Sequence, residues 1–254
     1  MSAVTLTYGI LFYLATIVLI VGVVFKIIQY TTTPAPLKIA TTPAPISMTG
    51  VVWRITKEVT IFASLFKSSK WTWIFGWMFH LALLLAFFRH LRYVMSPDFF
   101  LLPIISLNLV QAVGKYASFA MLAGLIGLFG RRMFVDRVRY ISSPSDYLML
   151  LLLFSIAGTG MLMVFVLPTD IIMLKAFVLS LYMQPFRFLP LPADVLVLTH
   201  LALVILLMLI FPVSKLLHAP GVFFSPTRNQ VDNPREHRHI QGWTADDTAT
   251  SKPV

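Results

Sequence analysis

Five stretches of the chain stay apolar long enough to cross a bilayer, and the segments between them are polar, proline-rich or cationic. A hydrocarbon core about 30 Å thick asks for roughly 20 consecutive apolar residues per helix. Residues 5–28, 71–94, 112–130, 146–168 and 193–217 meet that requirement. A sixth apolar stretch, IIMLKAFVLSLYM at 171–183, is too short to span and carries Lys175; it predicts a helix lying in the interface. In VVWRITKEVTIFASLF at 51–66 apolar and basic residues mix, which suits a helix on the membrane surface or one that docks a partner. The pattern therefore predicts an all-α membrane protein, a bundle of five transmembrane helices with extra interfacial helices.

Composition agrees. Of 254 residues, 58% are hydrophobic and 12% charged, with a mean hydropathy of +0.84, outside the range of soluble domains. The first apolar segment has no basic residue before Lys26, so it lacks the cationic region that precedes the core of a signal peptide and is expected to remain as a helix. Cysteine is absent, which removes disulfides, thiolate-bound iron–sulfur clusters, Cys-ligated haem and covalent haem attachment from consideration. A redox centre in this chain has to be bound by histidine or brought by a partner.

The net charge of +10 is informative through its distribution rather than as a sign of nucleic-acid binding, which is not expected. With five spans, fifteen of the twenty Lys and Arg residues fall on one side, from Lys26 to Lys70, from Arg131 to Arg139, and from Lys215 onward. The other side holds Arg89, Arg92, Lys115, Lys175 and Arg187. The positive-inside rule then puts the N-terminus on the periplasmic side and the C-terminus in the cytoplasm. A sixth span through 171–183 would reverse the C-terminal cluster and is disfavoured. The organisation expected is a transmembrane domain over 1–218, with a cytoplasmic loop at about 29–70 containing the near repeat TTTPAP and TTPAP, and a polar tail over 219–254. Proline at that density prevents regular helix, and the tail is too polar to form a core of its own; it is expected to lie along a cytoplasmic partner. The arginines of the 131–147 loop anchor helix ends, or one of them pairs with a haem propionate.

The chemistry lies in four histidines inside the spans. His80 and His90 share the second apolar segment; His200 and His218 share the fifth. Ionisable side chains inside a bilayer are costly and usually face a bundle interior. Two histidines on each of two antiparallel helices match the requirement of two bis-imidazole haems, His90 with His200 toward the outer face and His80 with His218 toward the inner one. Stacked in that way, two haems b would carry electrons across the membrane. At about 100° per residue, His200 and His218 fall on one face of an uninterrupted helix and His80 and His90 lie roughly 80° apart. The rises differ, about 15 Å against about 27 Å, so helix tilt, inclined ligand axes or a break at Pro212 must absorb the mismatch. An interhelical hydrogen-bonding role or a proton relay is the alternative for such histidines. His237 and His239, in the REHRH tail, read as polar surface.

FHLALLLAFFRH and LTHLALVILLMLIFPVSKLLH, with ten- and eighteen-residue histidine spacings, resemble the membrane cytochrome b family of the respiratory nitrate reductase gamma subunit. Within it the chain looks most like the DsrM-type subunit of the sulfite-reduction-associated DsrMKJOP complex, a likeness drawn from HAPGVFFSPTRNQVDNPREHR. The Pro-rich segment 31–50 is a longer insertion than the nitrate reductase subunit would have. The resemblance implies two haems b, ligated by His90 with His200 and by His80 with His218. It implies electron exchange between a menaquinone or ubiquinone pool and a cytoplasmic iron–sulfur subunit of heterodisulfide-reductase-like, DsrK type. The implied setting is dissimilatory sulfur metabolism in the bacterial inner membrane, with periplasmic multihaem and iron–sulfur subunits and a second membrane subunit as further partners. The family's quinone site uses a lysine at the start of the third span, where Lys115 stands; an ammonium there donates to a quinone carbonyl, or is a helix-end lysine that snorkels. Arg89 and Arg92, beside His90, suit haem propionates or the interface. Gly76, Gly158 and Gly160 are places that allow a flat macrocycle to approach backbone, although glycine is common at any membrane helix contact.

On this reading the chain is the quinone-reactive haem subunit of an oxidoreductase complex and has no stand-alone catalytic centre. The competing classes are a nitrate-reductase-type gamma subunit, a transporter or channel with a histidine proton path, and a membrane anchor that carries no electrons. A b-type absorption spectrum separates the first from the transporter.

Overall fold

The computed structural model describes residues 2–34, 40, 42–225 and 227–232. The elements are helical: α1 Ala3–Thr32, α2 Met48–Ile61, α3 Ala63–Ser68, α4 Lys70–Val94, α5 Leu102–Ile105, α6 Asn108–Phe134, α7 Asp136–Ile141, α8 Pro144–Phe165, α9 Ile171–Met183, α10 Val195–Ile210 and α11 His218–Gly221. Among the described residues there is no strand. Five segments, α1, α4, α6, α8 and Val195–Val213, are long and apolar enough to cross a membrane, and α9 is a shorter apolar helix. This is the all-α, five-span architecture that the hydropathy pattern predicts. Where the helices begin follows from local chemistry. Ser69 accepts the Thr72 N–H ahead of α4, and Asp170 accepts the Met173 N–H ahead of α9 at 2.9 Å, each satisfying a donor that the first turn leaves open. Pro144 opens α8, a position where its missing N–H costs nothing.

The chain forms two compact units, one of Met1–Gly22 with Leu65–Ser214, the other of Val23–Ser64 with Lys215–Val254. In the first unit α4 packs on α6, α6 on α8, α8 on α10, and α9 on α4. Phe79, Ala82, Ala117, Met121, Leu125 and Ala157 make one buried cluster where α4, α6 and α8 meet. Phe177, Phe188, Leu191, Val197 and Leu201 make the other, closed by Tyr8, Phe12 and Tyr13 of α1. There the Tyr8 hydroxyl donates to the Leu198 carbonyl at 2.8 Å and Tyr13 to Leu181 at 2.6 Å, so the two phenols bury their rings and still satisfy their oxygens.

The α4–α6 contact is the most extensive in the unit, and in it α6 turns glycines toward α4. A Cβ on Gly114 would lie 2.9 Å from Arg89 Cβ and 3.1 Å from the Leu85 carbonyl oxygen. One on Gly124 would lie 2.9 Å from Phe79 Cβ and 3.0 Å from the Phe75 oxygen, and one on Gly127 would overlap the Phe75 ring. Residues 114 and 124 thus sit opposite 89 and 79, an antiparallel register in which the backbones approach because no side chain intervenes.

The buried Asp146 accepts from the Ser143 N–H at 3.0 Å and lies 3.5 Å from Arg132, while Arg132 also donates to Ser142 Oγ at 2.7 Å. The cationic 131–147 loop therefore fastens α6, α7 and the start of α8, as the helix-anchoring reading has it.

In the second unit Glu58 accepts from both the N–H and the hydroxyl of Ser64, at 3.1 and 2.7 Å, and Arg228 reaches the same carboxylate at 3.4 Å. The Tyr30 and Phe224 rings pack in a tilted pair with centroids 5.9 Å apart and the Asp232 N–H donates to the Pro45 carbonyl at 2.7 Å, which ties the described part of the tail to the end of α1 and the loop before α2.

Two expectations need correction. The mixed segment at 51–66 is not one helix: α2 ends at Phe62, whose φ of 51° is left-handed, and α3 starts directly after it. Glu58 provides the reason, since its carboxylate caps the N–H of Ser64 instead of letting the first helix run on. The fifth span is not helical through 217. α10 stops at Ile210, Phe211–Val213 is a 3-10 turn holding Pro212, and a second 3-10 turn precedes α11. Proline lacks the donor needed to continue an α-helix, so the argument that places His200 and His218 on one face of a continuous helix does not apply. The Pro-rich repeat lies partly, and His237 and His239 lie wholly, outside the described residues.

Because the obstacle at position 124 is backbone, Gly124→Ala is expected to destabilise the purified protein by about 1–3 kcal/mol, the usual cost of overpacking. Gly158, with nothing within 4 Å, is the control: Gly158→Ala should leave the thermal unfolding temperature in detergent unchanged, and equal behaviour of the two variants would contradict the packing.

Candidate functional site

On α4, His80 lies one position past Phe79, which faces Gly124, and His90 lies one position past Arg89, which faces Gly114. Ten residues of helix separate the two rings by about 15 Å along the axis, so they occupy two depths of the same span. Both rings are held in the same way. His80 Nδ1 is 2.6 Å from the Gly76 carbonyl oxygen and His90 Nδ1 is 2.6 Å from that of Ala86. A carbonyl only accepts, so each Nδ1 carries the proton and the lone pair is left on Nε2. His218, in the second unit, follows the rule with the Lys215 carbonyl at 2.8 Å.

His200 reaches the same tautomer by another route. Its Nδ1 is 2.9 Å from Thr159 Oγ1 of α8. The Thr159 hydroxyl proton is directed to the Ser155 carbonyl at 2.7 Å, which leaves its oxygen to accept from Nδ1–H; the Ile156 carbonyl faces the same ring. Next to Thr159, Gly160 adjoins the ring: a Cβ there would lie 3.4 Å from His200 Cε1. The first unit therefore holds His80, His90 and His200, each with its Nδ1 set against an oxygen.

The charged residues beside His90 are organised as well. Arg92 donates from Nη1 to Gln111 Oε1 at 2.8 Å and from Nη2 to the Tyr93 hydroxyl, and its guanidinium lies over the Tyr93 ring at 4.7 Å. Gln111 in turn donates to the Ile105 carbonyl at 2.7 Å, linking α5, α6 and α4. Arg89 Nη1 and Arg92 Nε are buried with no hydrogen-bond partner, and among the described residues neither arginine pairs with a carboxylate. A buried donor of a cation that lacks a partner is expensive, and an anionic group would satisfy it. Arg92, Tyr93, Leu102, Ser106, Ile171 and Lys175 line a cleft of about 270 Å³ at this end of α4.

Lys115 follows Gly114 in α6, so it stands at the level of Arg89 and His90. The third span begins at Asn108, which places Lys115 two turns inside it rather than at its start. The ammonium is half-buried and rests 5.0 Å from the Phe165 ring and 6.0 Å from that of Tyr116, with Phe119 stacked on Phe165 at 4.9 Å. This aromatic surround provides cation–π stabilisation.

Of the glycines singled out in the sequence, only Gly160 adjoins a histidine; Gly76 has Leu65 as its nearest neighbour at 3.7 Å and Gly158 faces open space. Thr159 is the residue that sequence reasoning missed. Among the described residues no three His, Cys, Asp or Glu side chains gather to hold a bare metal ion. Imidazoles with Nδ1 committed to an oxygen and orphaned guanidinium nitrogens beside His90 are a donor set that fits imidazole-ligated haem instead.

Comparison with known proteins identifies the family. The family model described as the nitrate reductase gamma subunit matches residues 44–234. An Hdr-like menaquinol oxidoreductase cytochrome b-like subunit of Archaeoglobus fulgidus is 30% identical over 91% of this chain and 81% of its own length. A protein of the same description from Archaeoglobus profundus is 29% identical over 91% of this chain and 80% of its own. Both relatives, like the family match, take in all four histidines of the apolar segments within the aligned extent. A five-span bundle of this helix order with its histidines set in that register belongs to the nitrate reductase gamma subunit family.

Proposed function

We propose that this chain is the dihaem b subunit through which a membrane oxidoreductase complex exchanges electrons with the quinone pool. In this reading His90 and His200 hold a haem toward the outer face, and His80 and His218 hold the other toward the cytoplasm. The observation that carries it is the shared tautomer of the four histidines, each with Nδ1–H given to an oxygen and the lone pair on Nε2. A proton relay needs rings that gain and lose protons at both nitrogens; an axial ligand needs one nitrogen committed and the other basic. Bound there, haem b supplies a reversible one-electron iron couple.

The protein's own residues do the rest. The hydrogen bonds at Nδ1 fix each ring and raise the basicity of its Nε2. Arg89 offers its unpartnered Nη1 to a propionate. Arg92, with both amino groups committed to Gln111 and Tyr93, holds the end of α4 to α6 and contributes positive potential, leaving Nε toward the same propionates. Lys115, level with His90 and set among Tyr116, Phe119 and Phe165, donates to a quinone carbonyl and stabilises the negative charge that develops on reduction. The aromatic rings give the quinone ring a surface to stack on.

The names of the archaeal relatives support menaquinol over ubiquinol as the substrate, and support a heterodisulfide-reductase-like iron–sulfur subunit as the partner. The same proposal places the chain in a cytoplasmic membrane with its C-terminus inside, where fifteen of the twenty cations lie, in a complex of the kind that serves sulfur metabolism.

Three outcomes are expected. In spectra of single variants, His90→Ala and His200→Ala should each remove one and the same haem, and His80→Ala and His218→Ala the other; shared loss by His80→Ala and His200→Ala would reject the pairing, and a colourless folded wild type would reject haem binding altogether. Cysteines placed by Asp98→Cys and Val135→Cys should react with an impermeant reagent from opposite faces of the membrane, and labelling from one face would rule out the topology. Lys115→Ala should slow haem reduction by a menaquinol analogue at least tenfold at matched haem content, whereas an unchanged rate would leave Lys115 as an anchoring side chain only.

A further inference from the structure

Three of the four histidines singled out in the sequence take a hydrogen-bond partner from their own stretch of chain, His80 and His90 within α4 from Gly76 and Ala86, and His218, beyond the fifth span, from Lys215. His200 differs in taking its Nδ1 partner from a neighbouring helix, the Thr159 hydroxyl of α8 at 2.9 Å. The hydroxyl itself is not free to rotate. Its proton goes back to Ser155 at 2.7 Å, with the Ile156 carbonyl at 3.1 Å beside it, the usual back-bond of a threonine one turn along a helix. A β-branched side chain has few rotamers in a helix, so the acceptor oxygen is presented in one direction. Gly160, the following residue, adjoins the ring edge, where a Cβ would lie in ordinary contact with Cε1 at 3.4 Å. Thr159 is thus the side chain of α8 that holds the His200 ring.

We infer that Thr159 is a positioning residue that sets the plane and basicity of His200, and so tunes the haem nearer His90 separately from the other one. This rests on the dihaem reading above. A hydroxyl is a poorer acceptor than a carbonyl, so the Thr159 bond would draw the Nδ1 proton of His200 less than the Ala86 carbonyl draws that of His90. The ring plane is also coupled to the α8–α10 contact, so a change in how those helices pack would reach His200 through Thr159. For the remaining histidines the equivalent bond is local and does not respond to a neighbouring helix. The two haems of one chain are thereby given unlike environments, which downhill electron transfer between them requires.

The test uses the full chain in detergent or nanodiscs, with electron paramagnetic resonance of the oxidised haems and a redox titration of each. Thr159→Val keeps the shape and removes the acceptor; Thr159→Ser keeps the acceptor. Thr159→Val is expected to shift the highest g value and the midpoint potential of one haem, the same one that His200→Ala removes, and to leave the other haem as in wild type. Thr159→Ser is expected to return both quantities toward wild type. If Thr159→Val loses that haem outright, recovery of it in Thr159→Ser supports the role and continued loss overturns it. Unchanged signals in Thr159→Val, at full loading of both haems, would overturn this inference while leaving the dihaem reading intact. A wild type without low-spin haem b signals would overturn both.

Discussion

The close approach of α4 and α6 is the contact on which the arrangement of the first unit depends. Helices in a bilayer gain little from burying apolar surface against one another, because lipid is as apolar as leucine; they associate where backbones can come near and polar groups can be shared. Glycines at 114, 124 and 127 provide that nearness along one side of α6, opposite Leu85–Arg89 and Phe75–Phe79. With the register set in this way, His80 and His90 are held at two depths, Lys115 comes level with Arg89, and Gln111 can reach Arg92. α8 then packs on the far side of α6 and carries Thr159 to His200 on α10. A shift of α6 by one turn would separate these pairs together.

Polar atoms inside the bundle follow a single rule, that each must find a partner in the protein or in something the protein binds. The histidines satisfy their Nδ1–H groups on carbonyl or hydroxyl oxygens, Tyr8 and Tyr13 give their protons to backbone carbonyls, and Asp146 is used up by Ser143 and Arg132. Arg89 and Arg92 are the exceptions, with a buried Nη1 and a buried Nε that nothing in the described protein accepts from. In the reading proposed above, unmet cationic donors next to His90 are what the carboxylates of a bound cofactor would complete.

Away from the spans, the second unit is organised by Glu58. Its carboxylate ends α2, begins α3 and receives Arg228, so one acidic side chain among many cations gathers the loop after the first span and the start of the tail into one body. Exposed Val52 and Trp53 on α2, with Lys57 5.7 Å from the Trp53 ring, give that body the mixed apolar and basic surface expected of a segment that lies on a membrane.

The sequence alone determined the class of protein. Span number, the short apolar helix at 171–183 and the absence of any thiol chemistry are consequences of composition and length, which no packing can alter, and the four histidines stand out because an ionisable group in a long apolar run is rare for energetic reasons. Helix ends were less legible: the break at Phe62 depends on a carboxylate reaching back from Glu58, and the stop at Ile210 on how far the chain is disrupted by Pro212. Only the tertiary structure decided that Gly114 and Gly124, rather than Gly76 or Gly158, carry the close contacts, because which face of a uniformly apolar helix meets a neighbour is not written in its hydropathy. It also decided that Thr159, forty-one residues away in the chain, holds His200. Threonine in a span looks like any other small residue until the partner helix is in place, since a hydrogen bond across helices is a property of two surfaces and not of either sequence taken singly.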